Sequence, residues 1–358
     1  MESASSYPAA MDTVDTAIGT EAQQVHQAAV IIDLHADTPK LMSRGYDIYT
    51  HHDTPWPLSR YGGHVDLPRM RQGNIAAQFF GLWTFPVPVR GCHADVNRQL
   101  DAVETAAAVG EGLVLCTSAA EIRAARRNGQ VAVMRGIEGG QALEGPGDMV
   151  GAVARLRHFA GRGVRYLGLL HFSKNALGFP AMGVGMDQSR GLTPLGCEVV
   201  DACVRDGVLV DLAHINRRGF FDVVSRRPGP LLVTHTGIAG VTQHWRNIDD
   251  EQVRAVADSG GAIGVIFAPR FLGRDGVEGV VEHLRHLIQV GGEDVAALGS
   301  DWDGFVRPTR GLGSPAELPN LTEALLRAGL SVGVIHKLLG GNVLRVLEAS
   351  DRGAGRGS

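Results

Sequence analysis

The stretch Ala29-Val-Ile-Ile-Asp-Leu-His-Ala-Asp-Thr-Pro39 decides how this chain is read. It opens as an apolar run, too short to span a membrane and the right length for a buried strand. It ends in polar residues that a plain core strand would avoid. Side chains alternate along a strand, so His35 and Asp37 point to one face. An imidazole and a carboxylate at the end of one strand can hold a metal ion in common. Taken alone, the pair is better explained as a buried His with an Asp partner, or as polar residues opening a loop.

Similar runs recur along the chain, at 75–83, 131–138, 164–171, 208–214, 231–235, 262–268 and 296–301. Helical spacing of apolar residues fills the gaps, at 96–109, 149–159, 194–204, 251–257, 277–290 and 317–328. Eight strands alternating with helices predict an α/β fold, the (β/α)8 TIM barrel. A doubly wound open sheet is the alternative. It usually carries a glycine-rich phosphate turn after its first strand, where this chain has His35-Ala-Asp-Thr-Pro39. The reading divides the chain into an N-terminal extension (1–27), one barrel domain carrying the chemistry (28–350) and a disordered tail (351–358). Two long connections, Lys40 to Asn74 with Trp56 and the Gly62-Gly63 pair, and Phe172 to Thr193, are expected at one end of the barrel.

Composition narrows the function classes. With 358 residues, 44% hydrophobic and 20% charged, the chain can bury a large core. A net charge of −4 argues against nucleic acid as a partner. The four cysteines, Cys92, Cys116, Cys197 and Cys203, form no CxxC pair and read as free thiols. The N-terminus lacks a basic start followed by an apolar core, and no run reaches membrane-spanning length. A cytoplasmic protein with no membrane partner is the expectation.

The strand ends carry the chemistry. His35 and Asp37 end the first strand, Glu138 the third, His171 the fourth, His214 the fifth and His235 the sixth, while Asp301 ends the eighth with Asp303 just after. Barrel active sites sit at the C-terminal ends of the strands. Single histidines elsewhere, such as His51, His52, His283 and His286, read as surface or loop residues. Nitrogen and carboxylate ligands without thiolates suit zinc, manganese, iron or cobalt. His35, Asp37, Glu138, His214 and His235 are more ligands than one catalytic zinc with an open position needs. Two divalent ions fit better, with Glu138 bridging them and a metal-bridging hydroxide as nucleophile. Asp301 is then placed to carry a proton from the attacking water to a leaving amine. His171 is placed to donate to a developing oxyanion. Arg246, in the polar run His244 to Asp250, offers a fork that pairs with a carboxylate.

These residues sit in blocks that together resemble the membrane (renal) dipeptidases and their bacterial relatives, a branch of the amidohydrolase superfamily. The blocks are Asp33-Leu-His-Ala-Asp-Thr-Pro39, Gly63-His-Val-Asp-Leu-Pro-Arg-Met70, Gly136-Ile-Glu-Gly-Gly140 and Arg165 to Asn175. Gly191-Leu-Thr-Pro-Leu-Gly196, Asp211-Leu-Ala-His214, Thr234-His-Thr236, Arg246-Asn247, Gly299 to Gly304 and Gly340 to Val346 complete the set. The resemblance runs from about Val30 to Leu347. It implies a zinc-dependent dipeptidase, two Zn2+ per chain, on a (β/α)8 barrel. Other divalent transition metals stay open, and L-Xaa-D-Xaa dipeptides are among the substrates it suggests. It implies His35, Asp37, Glu138, His214 and His235 as metal ligands, His171 and Arg246 as substrate contacts, and Asp301 as proton shuttle. The partner implied is a dipeptide, with a homodimer allowed. Leu170, Ala213 and the threonines flanking His235 depart from the family pattern, beside the ligands and not at them.

Two other functions compete with this one. Another binuclear hydrolase of the superfamily would act on a lactone, a cyclic amide or a biosynthetic intermediate, but Arg246 favours a substrate with a free carboxylate. A non-catalytic metal-binding protein would be expected to have lost a ligand or Asp301, and this sequence has all of them.

Overall fold

Runs rich in Val, Ile and Leu that are apolar on both faces belong in a parallel sheet covered by helices. The computed structural model, which describes residues 18–53, 61–84, 91–145 and 148–353, contains nine such strands among those residues. They are β1 (Ile31–Ala36), β2 (Ile75–Trp83), β3 (Leu113–Leu115), β4 (Val131–Glu138), β5 (Val164–Gly168), β6 (Leu209–Asp211), β7 (Leu232–Thr236), β8 (Ala262–Val265) and β9 (Ala296–Leu298). Eight close into a parallel barrel. Their order is β2-β1-β9-β8-β7-β6-β5-β4, and β4 pairs back to β2 along Ala77↔Ala132 to Trp83↔Glu138. The expected TIM barrel is therefore present.

The ninth strand, β3, was not read from the sequence. It pairs with Val131 to Val133 of β4, on the edge that β5 takes over from Arg135 onward. At three residues it is shorter than the run that alternation can reveal. The six expected helices all form, at Cys92–Val109, Asp148–Gly161, Pro194–Asp206, Asp250–Asp258, Val277–Gly291 and Leu318–Arg327.

Several strands end earlier than the sequence suggests, β1 by one residue and β8 at Val265 and not Ala268. Those expected to run to His171, His214 and Asp301 stop at Gly168, Asp211 and Leu298. The three site residues therefore stand in the loops just beyond their strands, not at the last strand positions. For two of them the reason is in the backbone. His214 and Asp301 have φ of 66° and 61°, a left-handed conformation that no strand accommodates.

A register slip aims the first pair of site residues. Asp33 faces Gln78 of β2 but Ala36 faces Phe80, so β1 gains a residue between them. Below the slip, Ile32 and Leu34 pack in a core with Phe79, Met134 and Tyr166. Above it, His35 and Asp37 both crowd Gly81. Without the bulge, simple alternation would put Leu34 and His35 on opposite faces.

At the ends, the helix Thr20–Ala28 lies within the segment read as an extension. Its buried His26 donates from Nε2 to the Gly73 carbonyl at 3.1 Å and meets Thr322 Oγ1 at 2.8 Å through Nδ1. The last helix, Asn342–Gly353, runs three residues into the stretch read as a tail, because Asp351 accepts from buried Arg165 at 2.8 Å. Residues 1–17 and 354–358, and Trp56 of the first long connection, lie outside the described residues. Among the described residues no helix is long and apolar enough to cross a membrane. His283, expected on the surface, is fully buried. It accepts from the Ile238 N–H at 2.9 Å through Nδ1, which leaves Nε2 to donate to the Leu272 carbonyl at 3.2 Å. The cysteines are free thiols, as expected, three of them buried.

Candidate active site

Six strands or their following loops converge on one point inside the barrel mouth. Glu138, the last residue of β4, stands at its centre. Its Oε1 lies 2.8 Å from His214 Nε2 and 3.4 Å from His235 Nε2, and those two nitrogens are 3.0 Å apart. Its Oε2 lies 3.6 Å from His35 Nε2 and 3.8 Å from His171 Nε2. His35 Nε2 is in turn 3.1 Å from Asp37 Oδ1 and 4.0 Å from Asp301 Oδ1. All seven of these side chains are buried.

Such packing of like and unlike polar atoms makes sense around cations. His35 Nε2, Asp37 Oδ1 and Glu138 Oε2 are buried and have no hydrogen-bond partner among the described residues. A buried polar atom left unpaired costs about 1–3 kcal/mol. Three overlapping sets of donor atoms lie within 4.8 Å of one another: His35/Glu138/His235, Glu138/His171/His214 and His35/Asp37/Asp301. Metal–ligand bonds of about 2.0–2.2 Å set ligand-to-ligand separations of about 3–4 Å. The residues present therefore fit divalent ions, and Glu138 belongs to two of the three sets.

The charge states agree. Burial alone would raise the Glu138 carboxyl, but His171, His35 and hydrogen bonds from His214 and His235 hold it well below the usual range. Burial drives His214 and His235 well below theirs, so both are neutral and present lone pairs. Burial, then Asp37, raises Asp301 well above the ordinary carboxyl range.

Residues 20–356 match the membrane dipeptidase family, peptidase family M19. The chain belongs to the membrane dipeptidase family. It is 35% identical over 246 residues to a Klebsiella pneumoniae protein named for its place in the pqqA 5′ region, covering 66% of this chain and 88% of that one. It is 28% identical over 352 residues to an uncharacterized dipeptidase of Schizosaccharomyces pombe, covering 92% and 82%. A crystal structure of a Rhodobacter sphaeroides metallopeptidase, liganded with a phosphinate mimic of L-Ala-D-Ala, superposes with a TM-score of 0.79. Identity is 28%, with 90% of this chain and 99% of that one covered. The membrane dipeptidase barrel seen here thus brings together every site residue read from the sequence.

Arg246 belongs to the same cavity. It is buried, its guanidinium donating to the His235 carbonyl at 2.8 Å and to Thr236 Oγ1 at 3.4 Å. Burial lowers its pKa to about 10, which leaves it charged at neutral pH. Among the described residues no carboxylate pairs with it at ion-pair distance.

Asp301 and Asp303 share strand parity, and the structure separates them. Both oxygens of Asp303 are engaged: Thr38 Oγ1 donates to one at 2.7 Å and the His64 N–H to the other at 2.7 Å. Asp303 anchors the loop, and Asp301 faces the centre.

The sequence reading missed the residues that orient the ligands. The Tyr166 hydroxyl meets His35 Nδ1 at 2.8 Å from inside the barrel. Thr234 Oγ1 meets His235 Nδ1 at 3.0 Å and donates to Asp211 Oδ2 at 2.9 Å. Asp33 accepts from Ser300 and Gln78, tying β1 to its two neighbours. Such contacts fix the tautomer and aim of a ligating imidazole. Asp33, Tyr166, Asp211 and Thr234 all stand in the quoted blocks, so a signal was there.

Gly81 is the other omission. A Cβ there would stand 2.4 Å from His35 Cε1 and 2.8 Å from Asp37 Oδ1. Gly81→Ala is therefore expected to displace both side chains and to cost about 1–3 kcal/mol of stability. Metal content at a fixed free-ion concentration should fall well below that of the parent protein; an unchanged content would show that His35 and Asp37 hold no ion.

Proposed function

We propose that this protein is a dipeptidase that works with two divalent ions, zinc first among them, and that L-Xaa-D-Xaa dipeptides are among its substrates. His35, Asp37, Glu138, His214 and His235 are the ligands in this reading, with Glu138 shared. The observation that carries the reading is Arg246, a buried cation with no acidic partner at ion-pair distance among the described residues, in the cavity lined by Glu138, His171 and Asp301. A buried charge needs a partner, and the free carboxylate of a short peptide is one that fits. A lactone or a cyclic amide would leave it unpaired.

When bound, the ions would supply Lewis acidity to the scissile carbonyl and lower the pKa of water at the site. The protein groups divide the remaining work. Arg246 grips the C-terminal carboxylate and so places the peptide bond against Glu138 and Asp301. His171, kept neutral because burial lowers its pKa, has an N–H for the carbonyl oxygen as charge develops there. Asp301 takes the proton of the attacking water and returns it to the departing nitrogen.

A panel of L-L and L-D dipeptides, free and C-terminally amidated, run on protein of measured metal content, tests the reading. Arg246→Ala should lower kcat/KM by about 2–4 kcal/mol equivalent, the worth of a charge-assisted contact in a desolvated site. Amidated dipeptides should be poor substrates of the parent protein, and equal rates on free and amidated forms would reject the role of Arg246.

A further inference from the structure

The barrel order fixes where the two ends of a bound dipeptide lie. Arg246 follows β7, and Trp83 is the last residue of β2. Counting around the closed barrel, β2 and β7 are four strands apart of eight, so they face each other across the mouth. A dipeptide held by its carboxylate at Arg246 directs its N-terminal residue towards Trp83.

What waits on that side is aromatic. Trp83 meets His171 edge-on at 5.7 Å between ring centroids. Phe305, in the loop after β9, meets Trp83 edge-on at 5.8 Å. The three rings form a wall that climbs from the buried centre to the rim. Trp83 is buried, whereas Phe305 is 47% exposed. Its sequence neighbours, Gly304 and Val306, both line the cavity that holds Glu138 and Arg246.

Phe305 is also held in an unusual backbone. Its φ is 57°, and Asp301 and Asp303 in the same loop are at 61° and 66°. A bulky residue rarely adopts this conformation, and strained positions cluster at ligand-binding sites. No burial in the core accounts for the ring, since nearly half of it faces solvent. An exposed aromatic ring set edge-on against a second one is a surface for a flat or branched apolar group.

We propose that Phe305 and Trp83 form the subsite for the side chain of the N-terminal residue, and that it selects large apolar or aromatic side chains there. The assignment rests on the dipeptidase reading above. The chemical class follows from Phe305, whose half-exposed ring offers carbon surface and no hydrogen-bond partner; buried Trp83, with the Lys40 ammonium 5.1 Å from its ring centroid, backs it. Gly or Ala at the N-terminal position would leave Phe305 wet, and Phe, Leu or Trp would cover it. Phe305 touches the substrate's side chain and takes no part in proton transfer.

The experiment compares kcat/KM for dipeptides sharing one C-terminal residue, with Gly, Ala, Leu or Phe at the N-terminus. The parent protein should favour Phe and Leu over Gly. Phe305→Ala should shrink that ratio about tenfold, the usual worth of one apolar contact to a substrate side chain. Phe305→Tyr, which keeps the ring, should restore it. Phe305→Gly removes the ring and relieves the left-handed backbone, so it gives a folded control if the alanine variant is unstable, checked by its melting temperature. Dipeptide hydrolysis with a Phe/Gly ratio that Phe305→Ala and Phe305→Gly leave unchanged overturns the subsite alone. If no dipeptide is hydrolysed by metal-loaded parent protein, the dipeptidase reading falls and the subsite with it.

Discussion

Asp301→Asn is expected to lose about 10²–10⁴-fold in kcat, the usual worth of a positioned acid–base group, while keeping its fold. A hydroxide at neutral pH is already a competent nucleophile, so expelling the amine is the harder half of peptide hydrolysis. A proton must reach the nitrogen as the C–N bond breaks. Asp301 is the carboxyl placed for this: buried, facing the cavity, and with its pKa raised by burial and by Asp37. A raised pKa lets the group hold a proton between the two halves of the reaction. The fold should survive because the loop is held by other atoms. The Asp301 N–H donates to the His35 carbonyl at 3.0 Å, and the Asp303 carboxylate is clamped by Thr38 and His64. Asp303→Asn should do the reverse, lowering stability by about 1–3 kcal/mol through a lost buried partner and changing kcat far less. Melting temperatures and single-turnover rates on both variants decide it. An Asp301→Asn enzyme within a few-fold of the parent would shift the proton to another carrier, and His171 would be next to test.

Glu138→Gln should lose both ions together. One oxygen of the carboxylate faces His214 and His235 and the other faces His35 and His171, so both donor sets that include Glu138 depend on it, and the amide keeps the shape but removes the shared negative charge. Elemental analysis should give two divalent ions per chain for the parent protein and fewer than one for the variant, with activity lost in proportion. One ion or none in an active parent enzyme would sink the binuclear assignment. The parent should also show a pH signature. In the ion-free protein Asp37 is raised to about 7, chiefly by burial and then by Glu138. A proton on Asp37 competes with an ion. As pH falls through about 7 the carboxyl fills with protons, and affinity should drop up to tenfold per pH unit from this group. Above pH 7 it is ionised and the dependence should flatten. A pH-independent affinity between 5 and 7 would remove Asp37 from the ligand set.

The barrel and the cluster of polar residues at its mouth were legible because their signals are local. A buried strand is a short run of apolar residues, and a candidate ligand at its end is a polar residue where the run stops. His35, Asp37, Glu138 and His235 all show this within a few positions. What escaped acts between strands. Tyr166 looks in sequence like one more β-forming aromatic; that its hydroxyl orients His35 depends on β5 and β1 facing each other inside the barrel. Gly81 matters only because two side chains from another strand fill the space a Cβ would take. Parity left Asp301 and Asp303 equivalent, and hydrogen bonds from Thr38 and His64, both distant in sequence, separated them. His283 was misplaced because a lone histidine in a helix gives no sign of the carbonyl and amide waiting in its pocket. The short strand β3 fell below the length at which alternation carries information.

Two of the residues at the centre, His214 and Asp301, are held in left-handed backbone. Such conformations cost of order 1–3 kcal/mol in a residue with a side chain, somewhat less for His and Asp, and nothing comparable in glycine. The bare scaffold would therefore gain by losing them: His214→Gly or Asp301→Gly should raise the melting temperature of chelated protein while abolishing turnover. Mutational drift in a barrel relieved of its chemistry would run downhill towards that sturdier, inert descendant. The same free energy works against directed evolution for thermostability here, since a screen on heat resistance alone would enrich the dead variants first.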